Sequence, residues 1–218
     1  MDTKAVVLNL QKNIGEEEKA SQSTLIDVLS VEDMLKYDPP KYYSAFPHLD
    51  HCFKPFKGML CSIIGTPGAG KSKWTMHFAC QMARLHGQRT GILSMEMLPY
   101  FVGKCLNAYG KAWYCEDAIR DNVKMLRPKK GKEPTLEWLD HCVRHMKIDW
   151  LVIDPFNQIE KSARHKSQVQ QQKEDLQLLG RLANDTGIGL LVVAHPTKGV
   201  QQEDGSLREP TYYDIDGS

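Results

Sequence analysis

The feature that most constrains this chain is a glycine-rich run that follows a short apolar segment, residues 59–64, and precedes a segment with helical spacing of apolar residues. The run reads Gly65-Thr66-Pro67-Gly68-Ala69-Gly70-Lys71-Ser72. It matches the pattern G-x-x-x-x-G-K-[ST] in full, which composition alone would produce in about one chain of this length in a hundred. A strand before the loop and a helix after it are the context that the pattern requires.

The residue types of this run, called here the glycine loop (residues 65–72), suit the binding of a nucleoside triphosphate. Gly68 and Gly70 permit a tight backbone path whose N–H groups point at phosphate oxygens, and the start of the following helix adds partial positive charge. Lys71 can reach the β and γ phosphates, and the Ser72 hydroxyl can ligate Mg²⁺. The sequence therefore predicts a site for ATP and Mg²⁺.

Length and composition are those of an ordinary globular protein. The chain has 218 residues, which fits one α/β domain with a short extension, and its formal net charge of +1 shows no global basic excess. A nucleic-acid partner would therefore have to use a local basic site. No apolar run is long enough to span a membrane and residues 1–20 carry no hydrophobic signal segment, so we expect a cytoplasmic protein, with an organelle matrix as the alternative.

The cysteines and one histidine pair raise the question of a disulfide frame or a metal site. The six cysteines are scattered without a CxxC pair, which indicates reduced thiols. His141 and His145 would share a helix face, as metal ligands do, but no second ligand pair accompanies them. A metal site there is the weaker interpretation.

Strand and helix patterns alternate along the chain. The pattern predicts strands at residues 59–64, 90–95, 123–126, 148–154 and 189–194. Helices are expected after the glycine loop up to Gly87, from Pro99 to about Ala108, around Leu136 to Val143 and around Leu176 to Ala183. In the first, Trp74, Phe78, Met82 and Leu85 are spaced for one buried face. This alternation predicts a RecA-like α/β fold with a mostly parallel sheet and helices on both faces.

Several polar residues fall at the carboxyl ends of the predicted strands, where such sheets bind ligands. Asp154 ends an apolar strand and is placed to bind Mg²⁺, or alternatively to cap the next turn. Glu96 is placed to orient or deprotonate an attacking water, or else is a solvated surface residue. His195 could contact a γ-phosphate and report its loss, or be a histidine satisfied by hydrogen bonds in the core.

Taken in order, these residues resemble a known family. The segments that carry the resemblance are the glycine loop, Ser94-Met95-Glu96-Met97, Val152-Ile153-Asp154-Pro155-Phe156-Asn157, Ala194-His195-Pro196-Thr197-Lys198 and Pro210-Thr211-Tyr212-Tyr213-Asp214-Ile215-Asp216-Gly217-Ser218. Together they resemble the RecA-fold ATPase core of hexameric replicative DNA helicases, above all the Twinkle-like and phage primase-helicase branch, with DnaB more distant. The resemblance covers about residues 42–218 and leaves residues 1–41 as an N-terminal tail and linker helix.

The resemblance implies roles and partners. Glu96 would be the catalytic base, assisted by Lys71, and His195 would relay the γ-phosphate state to loops that hold single-stranded DNA. Those loops would supply Lys198, Asp214, Gly217 and Ser218. Arg164 and Lys166 fall in another predicted loop, which either faces the DNA as well or is an ordinary solvated loop. Family members form rings, usually hexamers, in which the linker helix docks on the neighbouring subunit.

The sequence also departs from the family pattern. It stops within the expected DNA loop, without the strands that supply an arginine finger to the adjacent subunit's ATP. Two other functions therefore stay open: a RecA-like DNA-binding ATPase that does not unwind, such as a recombination mediator or plasmid replication protein, and a nucleotide-binding interaction module.

Overall fold

The computed structural model describes residues 30–36, 38, 40–44, 46–156, 159 and 168–195, with side chains in the last range from residue 174 onward. The chain divides into two compact units, Met1–Asp38 and Pro39–Ser218. The division proposed from sequence, between residues 41 and 42, stays a prediction.

In the first unit, helix α1 spans Val31–Lys36 and all its residues are exposed. The Ser30 hydroxyl accepts a hydrogen bond from the Asp33 N–H at 3.1 Å. The Ser30 side chain thus caps the first turn of this helix.

The second unit consists of alternating strands and helices. Its described strands are β1 (Leu60–Ile64), β2 (Thr90–Ser94), β3 (Val123–Leu126), β4 (Trp150–Asp154) and β5 (Gly189–Ala194). Its described helices are α2 (Lys71–His86), α3 (Pro99–Trp113), α4 (Glu116–Asn122), α5 (Leu136–Met146) and α6 (Gln168–Thr186).

The five described strands form one parallel sheet in the order β1-β5-β4-β2-β3. In the register of neighbouring strands, Ile64 of β1 lies beside Ala194 of β5, and Ser94 of β2 lies beside Asp154 of β4. The carboxyl ends of β1, β5, β4 and β2 therefore lie along the same edge of the sheet. The predicted parallel α/β sheet is confirmed.

Each face of the sheet is covered by helices. Helices α2, α3 and α4 bury one apolar cluster that includes Phe78 and Trp150, and helices α5 and α6 bury the other, which includes Leu139 and Leu179. Burial of this much apolar surface on both faces is what stabilises a sheet of this type. Gly189 lies so close to the Trp150 indole that a Cβ atom at this position would overlap the ring.

Three details of the helices differ from the sequence-based expectation. Helix α3 continues past Ala108 to Trp113, and helix α4 was not predicted. Gly110 does not end α3 but lies against Glu116, where a side chain would be crowded, so it allows α4 to pack closely. The expected burial of Leu85 is wrong: it has the helical phase of Phe78 and Met82 but lies in the last turn of α2 and is 44% exposed.

The six cysteines are all free thiols, three of them buried, in agreement with the absence of a disulfide frame. His141 and His145 stack with ring centroids 5.6 Å apart, but no group of three potential ligands in the described part of the chain could hold a metal ion. Among the described residues, no helix is both long and apolar enough to cross a membrane.

Candidate active site

The glycine loop connects β1 to α2 through two left-handed residues. Gly68 has a φ of 80° and Gly70, which precedes the first residue of α2, has a φ of 88°. A Cβ atom at either position would meet nothing within 4 Å, so the backbone conformation and not lack of space requires glycine there. The loop ends at the N-terminus of a 16-residue helix, whose first N–H groups have no partner within the helix. This arrangement is suited to an anion.

Lys71 is buried at the start of α2 and folds back onto the loop. Its Nζ donates to the carbonyl oxygens of Gly65 at 2.6 Å and Thr66 at 3.1 Å. Burial lowers the pKa of the Lys71 ammonium, while the carboxylates of Asp154 and Glu96 act in the opposite direction. The positive charge therefore lies between the glycine loop and two acidic side chains.

Asp154 lies at the end of β4 and is buried, with 3% of its surface exposed. Burial raises the pKa of its carboxyl group and the nearby charge of Glu96 adds to this, whereas a hydrogen bond with Ser72 acts in the opposite direction. The Oδ1 atom is buried without a hydrogen-bond partner among the described residues. Because an unpartnered buried carboxylate oxygen is unfavourable, this position suits a cation.

The donor set at Asp154 fits Mg²⁺ in particular. Mg²⁺ prefers oxygen ligands and binds through one or two protein groups together with phosphate oxygens and water. Ser72 and Asp154 supply a hydroxyl and a carboxylate that already touch each other, beside the anion site of the glycine loop. These two residues would hold the ion predicted from the sequence.

Glu96 and His195 lie on opposite sides of β4 and meet across its end. Glu96 follows β2, His195 follows β5, and the Glu96 Oε1 atom lies 3.1 Å from the His195 Nε2 atom. A turn in which the Met97 N–H donates to the Ser94 hydroxyl at 3.3 Å positions the segment that carries Glu96. The Glu96 side chain is 43% exposed, so water can reach it, whereas the His195 Nδ1 atom is buried and has no partner in the described part of the chain.

The structure thus brings Lys71, Ser72, Glu96, Asp154 and His195 to one edge of the sheet. It places them there through strand register, because each residue follows or ends a strand whose carboxyl end lies at that edge. Positive, acidic and hydroxyl groups around an anion site are the groups needed for transfer of a phosphoryl group to water.

Other sequence-predicted residues cannot be placed. Asn157 and the proposed DNA contacts lie outside the described residues; those contacts are Arg164, Lys166, Lys198, Asp214, Gly217 and Ser218. Their roles stay predictions.

Sequence reasoning missed two features of this edge. The contact between Glu96 and His195 depends on strand order, which no local pattern encodes. A run of basic residues after β3 lines a cleft together with Glu96; the charge run in residues 127–132 was visible in the sequence, but its position beside Glu96 was not.

Comparison with known proteins shows similarity in structure but not in sequence. No protein-family model and no curated protein matches the sequence. One similar solved structure is a DnaB-like replicative helicase, described with its interactions with primase, at a TM-score of 0.70 and 16% identity. The match covers 99% of this chain and 61% of that one, so this chain spans less than two thirds of the helicase.

A second similar structure is an ATPase domain, at a TM-score of 0.64 and 15% identity, with 96% of this chain and 78% of that chain covered. At such identities a structural likeness shows the fold and no more. The fold is nevertheless the one that the sequence resemblance implies. This chain has the RecA-like α/β fold of the DnaB-related helicase core.

Proposed function

We propose that this chain is the ATP-hydrolysing motor core of a replicative-type DNA helicase, which couples hydrolysis to translocation on single-stranded DNA within a hexameric ring. The observation that carries the proposal is the convergence of Lys71, Ser72, Asp154, Glu96 and His195 at one edge of a RecA-like sheet. The glycine loop alone would indicate only that a triphosphate is bound. The acidic residues and the histidine beside it supply the groups for hydrolysis.

Binding would use the loop and its lysine. The backbone N–H groups of residues 68–72 surround the phosphates, and Lys71 exchanges its two carbonyl partners for β and γ phosphate oxygens. Ser72 and Asp154 would hold Mg²⁺, which when bound neutralises charge that develops on the phosphate oxygens.

Hydrolysis would use Glu96 as the base. Its carboxylate orients the attacking water and accepts a proton from it at one of the Oε atoms, as the water oxygen bonds to the γ phosphorus and the bond to the bridging oxygen breaks, releasing ADP. The His195 Nε2 atom, at 3.1 Å from Glu96 Oε1, restricts the orientation of that carboxylate. Because His195 precedes the segment in which the DNA contacts Lys198 and Asp214 to Ser218 are proposed, a shift at this contact would be passed to the DNA.

Ring assembly and DNA binding belong to the proposal and rest on the fold. The similar helicase is replicative and shares the RecA-like core, at 16% identity. The proposed contacts of Arg164 and Lys166 would lie on a second loop facing the strand.

The first experiment measures ATP hydrolysis as phosphate release in the presence of Mg²⁺. We expect Glu96→Gln to lower turnover by about 10²–10⁴-fold, because removal of a general base has effects of this size. Binding of a fluorescent ATP analogue should persist, since Glu96 is not a phosphate ligand in this proposal. Glu137→Gln, an exposed change on α5, is the matched control and should keep parental turnover. Unchanged turnover in Glu96→Gln would exclude Glu96 as the base.

The second experiment distinguishes unwinding from ATP-switched DNA binding. The full chain is incubated with ATP, Mg²⁺ and a forked duplex whose displaced strand carries a fluorophore. Strand separation that depends on Glu96 supports the helicase function. Rapid ATP turnover without strand separation would instead favour a RecA-like DNA-binding ATPase.

A further inference from the structure

A second concave surface borders the candidate active site and is not used by the chemistry proposed above. A cleft of about 360 Å³ lies between residues 93–99, which comprise the end of β2 and the segment after it, and residues 126–134, which begin at the last residue of β3. Glu96 is one of its lining residues. Anything bound in this cleft therefore lies beside the proposed catalytic base.

One wall of the cleft, called here the basic loop (residues 127–132), is strongly cationic. It carries four exposed cations: Arg127, Lys129, Lys130 and Lys132. No ion pair joins them to an acidic side chain of the described residues, whereas Lys36, Arg120 and Arg144 each pair with an acidic side chain of their own helix. Because the chain has a net charge of only +1, a nucleic-acid partner would need a local basic site, and the basic loop is such a site.

The opposite wall continues into exposed apolar side chains. Leu98 is 64% exposed, Tyr100 70% and Phe101 51%. The two aromatic rings lie edge to face with centroids 5.5 Å apart. Single exposed apolar residues are ordinary, but three within four positions at the start of a helix, the first of which lines the same cleft as the basic loop, indicate a binding surface.

We propose that this cleft binds single-stranded DNA, with phosphates on the basic loop and bases against Tyr100 and Phe101. The inference rests on the proposed function and assigns it a DNA contact that none of the predicted loops supplies. Sequence-tolerant binding of single strands uses this combination, a cationic groove for the backbone and aromatic rings for the bases.

A second copy of this chain is the main alternative occupant, and the composition of the cleft argues against it. The centre of a contact between copies is depleted in lysine and other charged residues. Here three lysines line one wall, and Glu96 and Glu133 are the acidic residues among the described residues that line the cleft. A polyanion matches this surface better than a copy of it would.

Position beside Glu96 gives such binding a consequence. A strand held in the cleft would lie against the segment that carries the proposed base, so DNA occupancy would act on ATP turnover directly. We therefore expect single-stranded DNA to stimulate hydrolysis, and the basic loop to be needed for the stimulation.

The test measures fluorescence anisotropy of a fluorescein-labelled thymidine 20-mer titrated with the full chain at several salt concentrations. Each phosphate contact to a single strand adds about 0.7 to the slope of log K against log salt. The double variant Lys129→Glu with Lys130→Glu should bind at least about tenfold more weakly and show a slope smaller by about 1.4. The control Lys54→Glu with Lys111→Glu changes two exposed lysines by the same charge and should match the parent.

A second variant tests the aromatic side chains beside the cleft, Tyr100 and Phe101. Tyr100→Ala should weaken binding by about fivefold or more without a change in the salt slope, because stacking involves no phosphate. Tyr43→Ala, at a tyrosine that is 65% exposed elsewhere on the core, is its control and should bind as the parent does. Thermal melting of each variant establishes that it is folded.

Four outcomes would overturn the inference. Parental binding by both cleft variants would exclude the cleft while leaving the helicase function intact, as would equal losses in the cleft and control double variants. Loss of self-association in sedimentation, with unchanged DNA affinity, would assign the cleft to a second copy of the chain. Absence of DNA binding by the parent would refute this inference together with the DNA part of the proposed function.

Discussion

Two aspartates at opposite ends of β4 have opposite environments. Asp149, just before the strand, accepts hydrogen bonds from Lys57 Nζ at 2.7 Å, from the Arg89 N–H at 2.9 Å and from Arg89 Nε at 3.1 Å. Asp154, at the other end, has one oxygen without a partner in the described part of the chain. The described residues supply hydrogen-bond donors to both oxygens of the aspartate before β4, but leave one oxygen of the aspartate at its end without a donor.

The pKa values of the two aspartates follow this difference in hydrogen bonding. Burial alone would raise the pKa of Asp149, but the hydrogen bonds from Lys57 and Arg89 outweigh it and the pKa is lowered. Burial of Asp154 wins over its single hydrogen bond, so its pKa is raised. Where other groups of the protein donate hydrogen bonds to a buried carboxylate, as at Asp149, the residue stabilises the fold. Where they do not, the residue indicates a ligand site.

The largest expected effect is on activity at the carboxyl end. Lys71→Met should lower ATP turnover by about 10²–10³-fold, because it removes a cation directed at developing phosphate charge. Lys57→Met removes a lysine at the amino end and should lower the melting temperature but keep the turnover of folded molecules. Steady-state phosphate release and thermal melting check both variants. Equal loss of turnover in Lys71→Met and Lys57→Met would contradict the assignment of activity to the carboxyl ends of the strands and of stability to the amino ends.

Removing each aspartate charge should separate stability from activity. Asp149→Asn should lower the free energy of unfolding by about 2 kcal/mol, since hydrogen bonds to charged partners contribute about that much. Asp154→Asn should leave it no lower than the parental value, yet lower Mg²⁺-dependent turnover, by less than Lys71→Met does. Urea unfolding and phosphate release distinguish the two changes. A large loss of stability in Asp154→Asn would mean that this residue is structural.

A packing change near the amino ends of the strands should affect stability alone. Gly189→Ala would force the new methyl group into the Trp150 ring and should cost about 1–3 kcal/mol of unfolding free energy. Gly103→Ala on α3 has open space and is its control, with an expected gain of about 0.5–1 kcal/mol. Turnover of the folded fraction should be parental in both. A stable Gly189→Ala protein would show that the contact can relax.

The smallest effect is a difference in pH dependence. Asp149 contributes stability above the unfolded pKa of about 3.9, and this is lost as pH falls through its lower folded pKa. The folded protein favours the protonated form of Asp154. Its contribution to stability is therefore fully present below the unfolded pKa of about 3.9 and is lost as pH rises through its raised folded pKa.

Urea unfolding between neutral pH and the acid limit measures this. On acidification, the stability of the parent should fall relative to Asp149→Asn and rise relative to Asp154→Asn. If the difference in unfolding free energy between the parent and each variant changed with pH in the same direction for both aspartates, one of the two environments would be misassigned.

The sequence predicted much of the architecture because local patterns determine it. The five apolar runs end in residues such as Gly65, Asp154 and His195. The runs β2, β4 and β5 are fully buried between two helical layers, and β1 and β3, which are less buried, extend the same sheet at its two edges. What depends on packing between distant segments was not predictable. Helix α4 is short and polar, and its place is fixed by close contact with Gly110.

The candidate site divides in the same way. The glycine loop and Asp154 could be identified because their chemistry is local to a loop or a strand end. The contact between Glu96 and His195 requires β2 and β5 to flank β4, an order that arises only in the assembled sheet. The cleft beside Glu96 likewise requires β3 to lie next to β2.

The two hydrogen bonds from Lys71 to the carbonyls of Gly65 and Thr66 set a threshold for entry. The ammonium has three N–H donors, so an incoming anion can accept from the third at once but gains the other two only by displacing these carbonyls. A lone phosphate or sulfate offers few oxygens to replace them, whereas a polyphosphate chain replaces them and also occupies the N–H groups of the loop. The lysine thereby acts as a filter on chain length, and small inorganic anions should be poor competitors for the loop.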